Sequence, residues 1–191
     1  MEVTFKKIGT RRYGVFVERE KAPALILQPA PGYDDYLPHD LLHFVAEAAW
    51  GLDGAVFGQL AAGGDAGSFW PVDKELLRKA MRRRKRRPKH YRGGRRSELL
   101  ADVLHCAWKA RHGKAPLPDN WDDRLVQARA EPEQLEAVVA SLDEFAQRWH
   151  RLRIGESLTL EWPRPERRRR PTRPRAAVRR GAVRGPRRPN A

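Results

Sequence analysis

The sequence predicts an α+β fold: a small antiparallel sheet made from N-terminal strands and a C-terminal strand, with several helices packed on it. Three observations carry this reading. Alternation of apolar and polar side chains is confined to the first 27 residues and to residues 152–162. Between them, apolar residues recur at helical spacing. Proline, glycine and capping residues fall at the joints between these segments.

Val3, Phe5 and Ile8 mark a first strand over 3–8, and Tyr13, Val15 and Val17 a second over 13–19. Gly9-Thr10-Arg11-Arg12 joins them as a hairpin connection. Ala24-Leu25-Ile26-Leu27 gives a third short strand, ended by Pro29, Pro31 and Gly32. A helix follows over 38–50, with Pro38 suited to its first turn. A short helix over 55–62 leads into a GGDAG loop at 63–67. Asp73 caps a helix over 74–87, which stops before Pro88. Ser97 caps the next helix, over 98–112, with Gly113 just past its end. Pro116 and Pro118 break the chain ahead of a short helix at 121–129. The clearest periodicity covers 133–150, where Leu135, Val138, Val139, Leu142, Phe145 and Trp149 share one helix face. Leu152, Ile154, Leu158, Leu160 and Trp162 then alternate around Gly155, as a last strand or a bent hairpin arm.

Residues 1–162 are therefore expected to form the globular domain. Residues 163–191 hold twelve arginines, six prolines and one acid, Glu166. Their only large apolar residues are Val178 and Val183, too little buried surface to offset the entropy of ordering, so a disordered tail is expected.

Composition excludes several classes of function. No apolar run approaches the length of a membrane span. A single cysteine, Cys106, excludes a disulfide scaffold and Cys-rich zinc sites. There is no GxxxxGK[ST], no GxGxxG and no GxSxG. His105 and Cys106 are adjacent on a helix and point about 100° apart, which does not make a nucleophile–base pair. The N-terminus reads as strand instead of a signal peptide, and the expectation is a cytoplasmic protein.

Charge is concentrated in two blocks. Residues 82–96 carry +10 and residues 163–191 carry +11, against +15 for the whole chain, which leaves −6 elsewhere. Arginine outnumbers lysine 30 to 9, the bias a GC-rich bacterial genome also produces. As binding elements, the first block offers Arg82, Arg83, Arg84, Lys85, Arg86, Arg87, Lys89, Arg92, Arg95 and Arg96. The tail adds Arg167, Arg168, Arg169 and Arg170. Guanidinium forks pair with phosphates, and Tyr91 or His90 could stack on a base. No base-reading motif stands out, so binding to nucleic acid or another polyanion without sequence preference is expected.

One polar constellation is candidate chemistry. His39, Asp40, His43 and Glu47 form H-D-x-x-H-x-x-x-E on the 38–50 helix. Histidines at i and i+4 can share one zinc ion, with the acid after the first histidine as base. On a helical projection these residues make a narrow stripe with Tyr36 and Trp50, opposite a broad apolar face. That stripe either faces water, lines a metal-free pocket flanked by Tyr36 and Trp50, or holds zinc on His39 and His43 with Asp40 as the catalytic base. Glu47 stands eight residues, about 12 Å of helix, from His39, so a third ligand is expected from a nearby loop: Asp34, Asp35, Asp53 or Asp65, with Asp53 preferred.

These residues resemble the HDxxH signature of the coenzyme Q biosynthesis scaffold family. His39, Asp40 and His43 match it, and AVFGQLA is similar to the segment that follows in that family. Gln59 stands, about four residues late, where the family has a glutamate. The likeness spans about 25 of 191 residues and implies a zinc site at the two histidines. More broadly, the whole chain resembles hypothetical proteins of actinobacteria, which implies no activity. Three functions therefore stand open: a polyanion-binding accessory protein, a zinc enzyme or ligand-binding domain at His39, Asp40 and His43, and a protein-interaction domain.

Overall fold

A computed structural model describes residues 1–31, 34–84 and 94–163. Residues 164–191 of the expected disordered tail, and Lys85, Arg86, Arg87, Lys89 and Arg92 of the basic block, lie outside the described residues. Within them, five strands form one antiparallel sheet and six helices pack against it. No helix among the described residues is long and apolar enough to cross a membrane.

The strands are β1 (Glu2–Gly9), β2 (Arg12–Glu18), β3 (Leu25–Leu27), β4 (Trp70–Pro71) and β5 (Ser157–Glu161), in the order β4-β3-β2-β1-β5. The C-terminal strand lies beside the N-terminal one, so the sheet closes the two ends of the domain together. Register follows the alternation. Val3 stands opposite Val17 and Leu160, and Phe5 opposite Val15 and Leu158, all buried on the helix-covered face. Thr4 and Thr159 share the other face and join their hydroxyls at 2.8 Å. The edge strand β4 is absent from the sequence reading, because two residues have no period to detect.

The helices are α1 (His39–Trp50), α2 (Val56–Ala61), α3 (Lys74–Arg84), α4 (Gly94–Arg111), α5 (Trp121–Ala128) and α6 (Pro132–Arg151). Asp73 caps α3 as expected, accepting from the Leu76 N–H at 2.8 Å. Pro132 opens α6, where its missing N–H costs nothing. Gly51, at φ 72°, ends α1 in the left-handed conformation that glycine adopts freely.

Two expectations are corrected here. Ser97 does not cap a helix: α4 begins at Gly94, and Ser97 lies one turn inside, fully buried. Nor does the polar stripe of α1 as a whole face water. His39 stays partly exposed, but every residue from Asp40 to Glu47 is buried, because the apolar arc of α1 packs toward the sheet, with Phe44 edge-on to Phe5, while Tyr13 of β2 meets Asp40 and α4 covers His43 and Glu47. Serine and alanine at 97 and 101 are small enough to let the two helices approach closely.

Candidate metal centre

Helix α1 presents His39 and His43 one turn apart, and α4 runs past it in the opposite direction. Pairings along the two helices show this: Glu47 meets Ser97, the histidines meet Glu98, and Tyr36 just before α1 meets Trp108. Three ligand atoms converge. His39 Nε2 and His43 Nε2 lie 3.0 Å apart. Glu98 Oε2 lies 3.4 Å from His43 Nε2 and 3.7 Å from His39 Nε2. The imidazole rings stand edge to face at 88°, with their Nε2 atoms within hydrogen-bond distance of each other. His43 is 5% exposed, whereas His39 is 42% and Glu98 65% exposed, so the cluster is closed at His43 and open to solvent at His39 and Glu98.

Behind His43 runs a buried chain of hydrogen bonds. Ser97 Oγ lies 2.7 Å from His43 Nδ1 and donates to Glu47 Oε1 at 2.7 Å. A hydroxyl has one proton; with that proton on Glu47, Ser97 accepts from His43 Nδ1–H. His43 thereby donates through Nδ1, and Nε2 is the nitrogen turned toward His39 and Glu98. Glu47 is in turn fixed by α2: its carboxylate accepts from the Val56 N–H at 3.0 Å and the Phe57 N–H at 2.7 Å. These are donors that a helix N-terminus leaves unpaired.

Electrostatics follow the geometry. Burial, then the neighbouring His43, lower the proton affinity of His39. Burial also acts to lower His43, but the hydrogen bond and charge of Glu98, with Glu47 and Asp40 behind them, raise it above its ordinary value. The His43 bond holds Glu98 below the usual carboxylate range. Glu47 is raised by burial, against the pull of the Ser97 hydroxyl and the Phe57 N–H.

Asp40 is buried, and burial raises its pKa. Its Oδ2 lies 2.6 Å from the Tyr13 hydroxyl, which ties α1 to β2, and it is not among the three converging atoms. Tyr13 Oη also lies 2.9 Å from the Pro31 carbonyl. One hydroxyl proton cannot serve both acceptors, and a proton on Asp40 satisfies all three groups. Asp53 is exposed on the turn between α1 and α2 and does not join the histidines. Asp34 binds the Tyr36 N–H at 2.8 Å and lies 2.8 Å from Lys109 Nζ and 3.1 Å from His105 Nε2. Asp35 pairs with Arg11, and Asp65 accepts from the Gly67 N–H. Tyr36 and Trp50 sit at opposite ends of α1, and Glu47 lies inside the protein, so these three do not line one pocket. Of the basic residues described, Arg82, Arg83 and Arg95 are exposed, Arg84 ends α3, and Arg96 donates to the carbonyls of Ala128 and Arg129 at the end of α5.

Sequence reasoning missed Glu98 as the third member of the cluster and Ser97 as the histidine's partner. The available signal was one acid in the second turn of α4, which marks no site by itself. Gln59, in the place of the family glutamate, donates to the Gly54 carbonyl at 2.8 Å and takes no part in the cluster. No protein-family model matches the chain, and neither a curated protein nor a solved structure shows significant similarity to it.

Proposed function

We propose that this chain is a metal-dependent protein whose centre is His39, His43 and Glu98, with zinc as the first candidate ion and hydrolytic or lyase chemistry as the reaction class. The observation that carries it is the triangle of ligand atoms, with sides of 3.0, 3.4 and 3.7 Å. Tetrahedral zinc with bonds of about 2.0–2.1 Å places its ligands about 3.4 Å apart, so the triangle already has the size of one coordination face. Two histidines and a carboxylate are the ligand set of catalytic zinc, which keeps a position for water, and also of non-haem iron. Bound zinc would supply Lewis acidity and lower the pKa of its water toward neutrality. The residues of this chain supply the rest: Ser97 and Glu47 aim His43, the exposed side of His39 and Glu98 admits a small molecule, and Asp40 holds α1 against the sheet. The free Cys106 is consistent with a cytoplasmic setting.

The test is the metal content of the full chain, purified without a histidine tag, by elemental mass spectrometry. About one transition ion per chain is expected, falling at least tenfold in His43→Ala and Glu98→Ala. Cobalt substitution should give the ligand-field absorption of a low-symmetry site. No retained metal, together with failure to compete with a chromogenic chelator at micromolar zinc, would sink the proposal.

A further inference from the structure

Helix α3 is the least packed element of the described fold. Among its described side chains none is buried, and the element it leans on is the two-residue edge strand β4. Leu76, Leu77 and Ala80 are its half-buried residues; Met81 is 50% exposed. The opposite side is cationic. Lys74, Arg78 and Arg82 follow one another at i, i+4 and i+8, a row with about 6 Å between steps, and Lys79 and Arg83 make a second row beside it. Six cations stand against one acid, Glu75, which pairs with Lys79 at 2.6 Å. Lys74, Arg78, Arg82 and Arg83 form no salt bridge among the described residues. Several cations elsewhere in the fold are engaged: Lys109 with Asp34, Arg111 with Glu136 and Asp143, Arg124 with Asp102.

We infer that the outer face of α3 is a docking surface for the phosphate backbone of nucleic acid, read without sequence preference. Charge complementarity selects the partner. A row of one lysine and two arginines with no salt bridge among the described residues matches a regular line of phosphates, which arginine forks chelate. Residues 74–96 carry +12 and residues 163–191 carry +11 of a total of +15, which leaves −8 elsewhere, so a polyanion is drawn toward α3 and the other basic stretches and away from the acidic remainder. A membrane is the poorer fit, because α3 carries no aromatic residue and its leucines are half-buried toward the sheet edge, leaving little apolar surface to insert. This surface is independent of the metal centre.

The experiment compares two charge-matched triple variants of the full chain, Arg78→Gln/Arg82→Gln/Arg83→Gln on α3 and Arg148→Gln/Arg151→Gln/Arg153→Gln at the end of α6. Both remove exposed cations, so neither disturbs the core. Binding to a fluorescent duplex is followed by anisotropy across 50–200 mM salt. The α3 variant should bind at least about tenfold more weakly, with a plot of log K against log salt shallower by about 2–3, a step of about 0.9 for each phosphate that the protein ceases to neutralise. The α6 variant should stay within about threefold of the parent. Equal weakening in both variants means net charge alone and overturns the assignment, as does unchanged binding in the α3 variant. No duplex binding by the parent at 50 mM salt overturns it as well. Anionic phosphatidylserine vesicles serve as the rival partner; capture that depends on α3 while duplex binding does not would reassign the surface to membranes.

Discussion

Replacing Ser97 by alanine separates two physical roles for one hydroxyl. As a helix cap it would contribute about 1 kcal/mol. In the structure it does more. Its oxygen makes two buried bonds of 2.7 Å, to His43 Nδ1 and to Glu47 Oε1. Without it, the next acceptor for His43 Nδ1 is Glu47 Oε1 at 4.0 Å, beyond hydrogen-bond reach. A buried donor left without a partner costs about 1–3 kcal/mol, and Glu47, which keeps its two short backbone donors, loses about 1 more. The sum is about 2–4 kcal/mol, which for a domain of this size lowers Tm by about 6–12 °C. Thermal and urea denaturation of the metal-free full chain measure it, with Ser141→Ala as a control: that hydroxyl is exposed, bonds only the Ala137 carbonyl one turn back, and its removal should stay within about 0.5 kcal/mol. In a Glu47→Gln background the Ser97→Ala cost should shrink by about 1 kcal/mol or more, since the two groups share one bond. Zinc affinity should fall about 10–100-fold as the ring's orientation is released. A Tm change under about 2 °C, or strict additivity with Glu47→Gln, would refute the relay and return Ser97 to a minor role.

The stabilisation that metal adds should grow with pH, against the direction of His43's own contribution to the metal-free fold. His43 is raised in the fold, so its contribution is fully present below its ordinary value of 6.5 and is lost as pH rises through the folded value; raised Asp40 and Glu47 act in the same sense, and lowered His39 and Glu98 in the opposite one. Metal must displace the His43 proton, so affinity should weaken about tenfold per unit as pH falls below the folded value; Tm from pH 5 to 8 with zinc and with chelator checks both signs, and parallel curves would contradict them. A second substitution reverses an expectation from propensity. Gly58→Ala in an ordinary helix gains about 1 kcal/mol, but here the new Cβ would lie 2.5 Å from the Leu52 carbonyl oxygen and 2.6 Å from Asp53 backbone atoms. That backbone cannot step aside without lifting the start of α2 off Glu47, so a net destabilisation of about 1–3 kcal/mol in urea denaturation is expected, and a stabilised variant would show the approach to be loose.

Much of this was legible in residue order because it depends on neighbours in the chain. Alternation placed β1, β2, β3 and β5, and a helical period placed α6 with Leu135, Val138, Val139 and Leu142 inward. The i, i+4 spacing of His39 and His43 makes them neighbours wherever the helix goes, so the sequence alone determined that two imidazoles would share one face. What it could not determine was what lies over that face. An amphipathic helix with one polar stripe serves equally well at a surface or beneath another helix, and its pattern is the same in both. Packing of α4 across α1 settled the matter: it covered His43 and Glu47, while Tyr13 of β2 met Asp40, and it brought Ser97 and Glu98 to the stripe from 50 or more positions away. Helical periodicity says nothing about a contact at that separation. The two histidines were therefore determined by local sequence, while the carboxylate that joins them, the partner of His43 Nδ1 and the partner of Glu47 were decided by the tertiary structure, because each depends on how closely two separate helices approach.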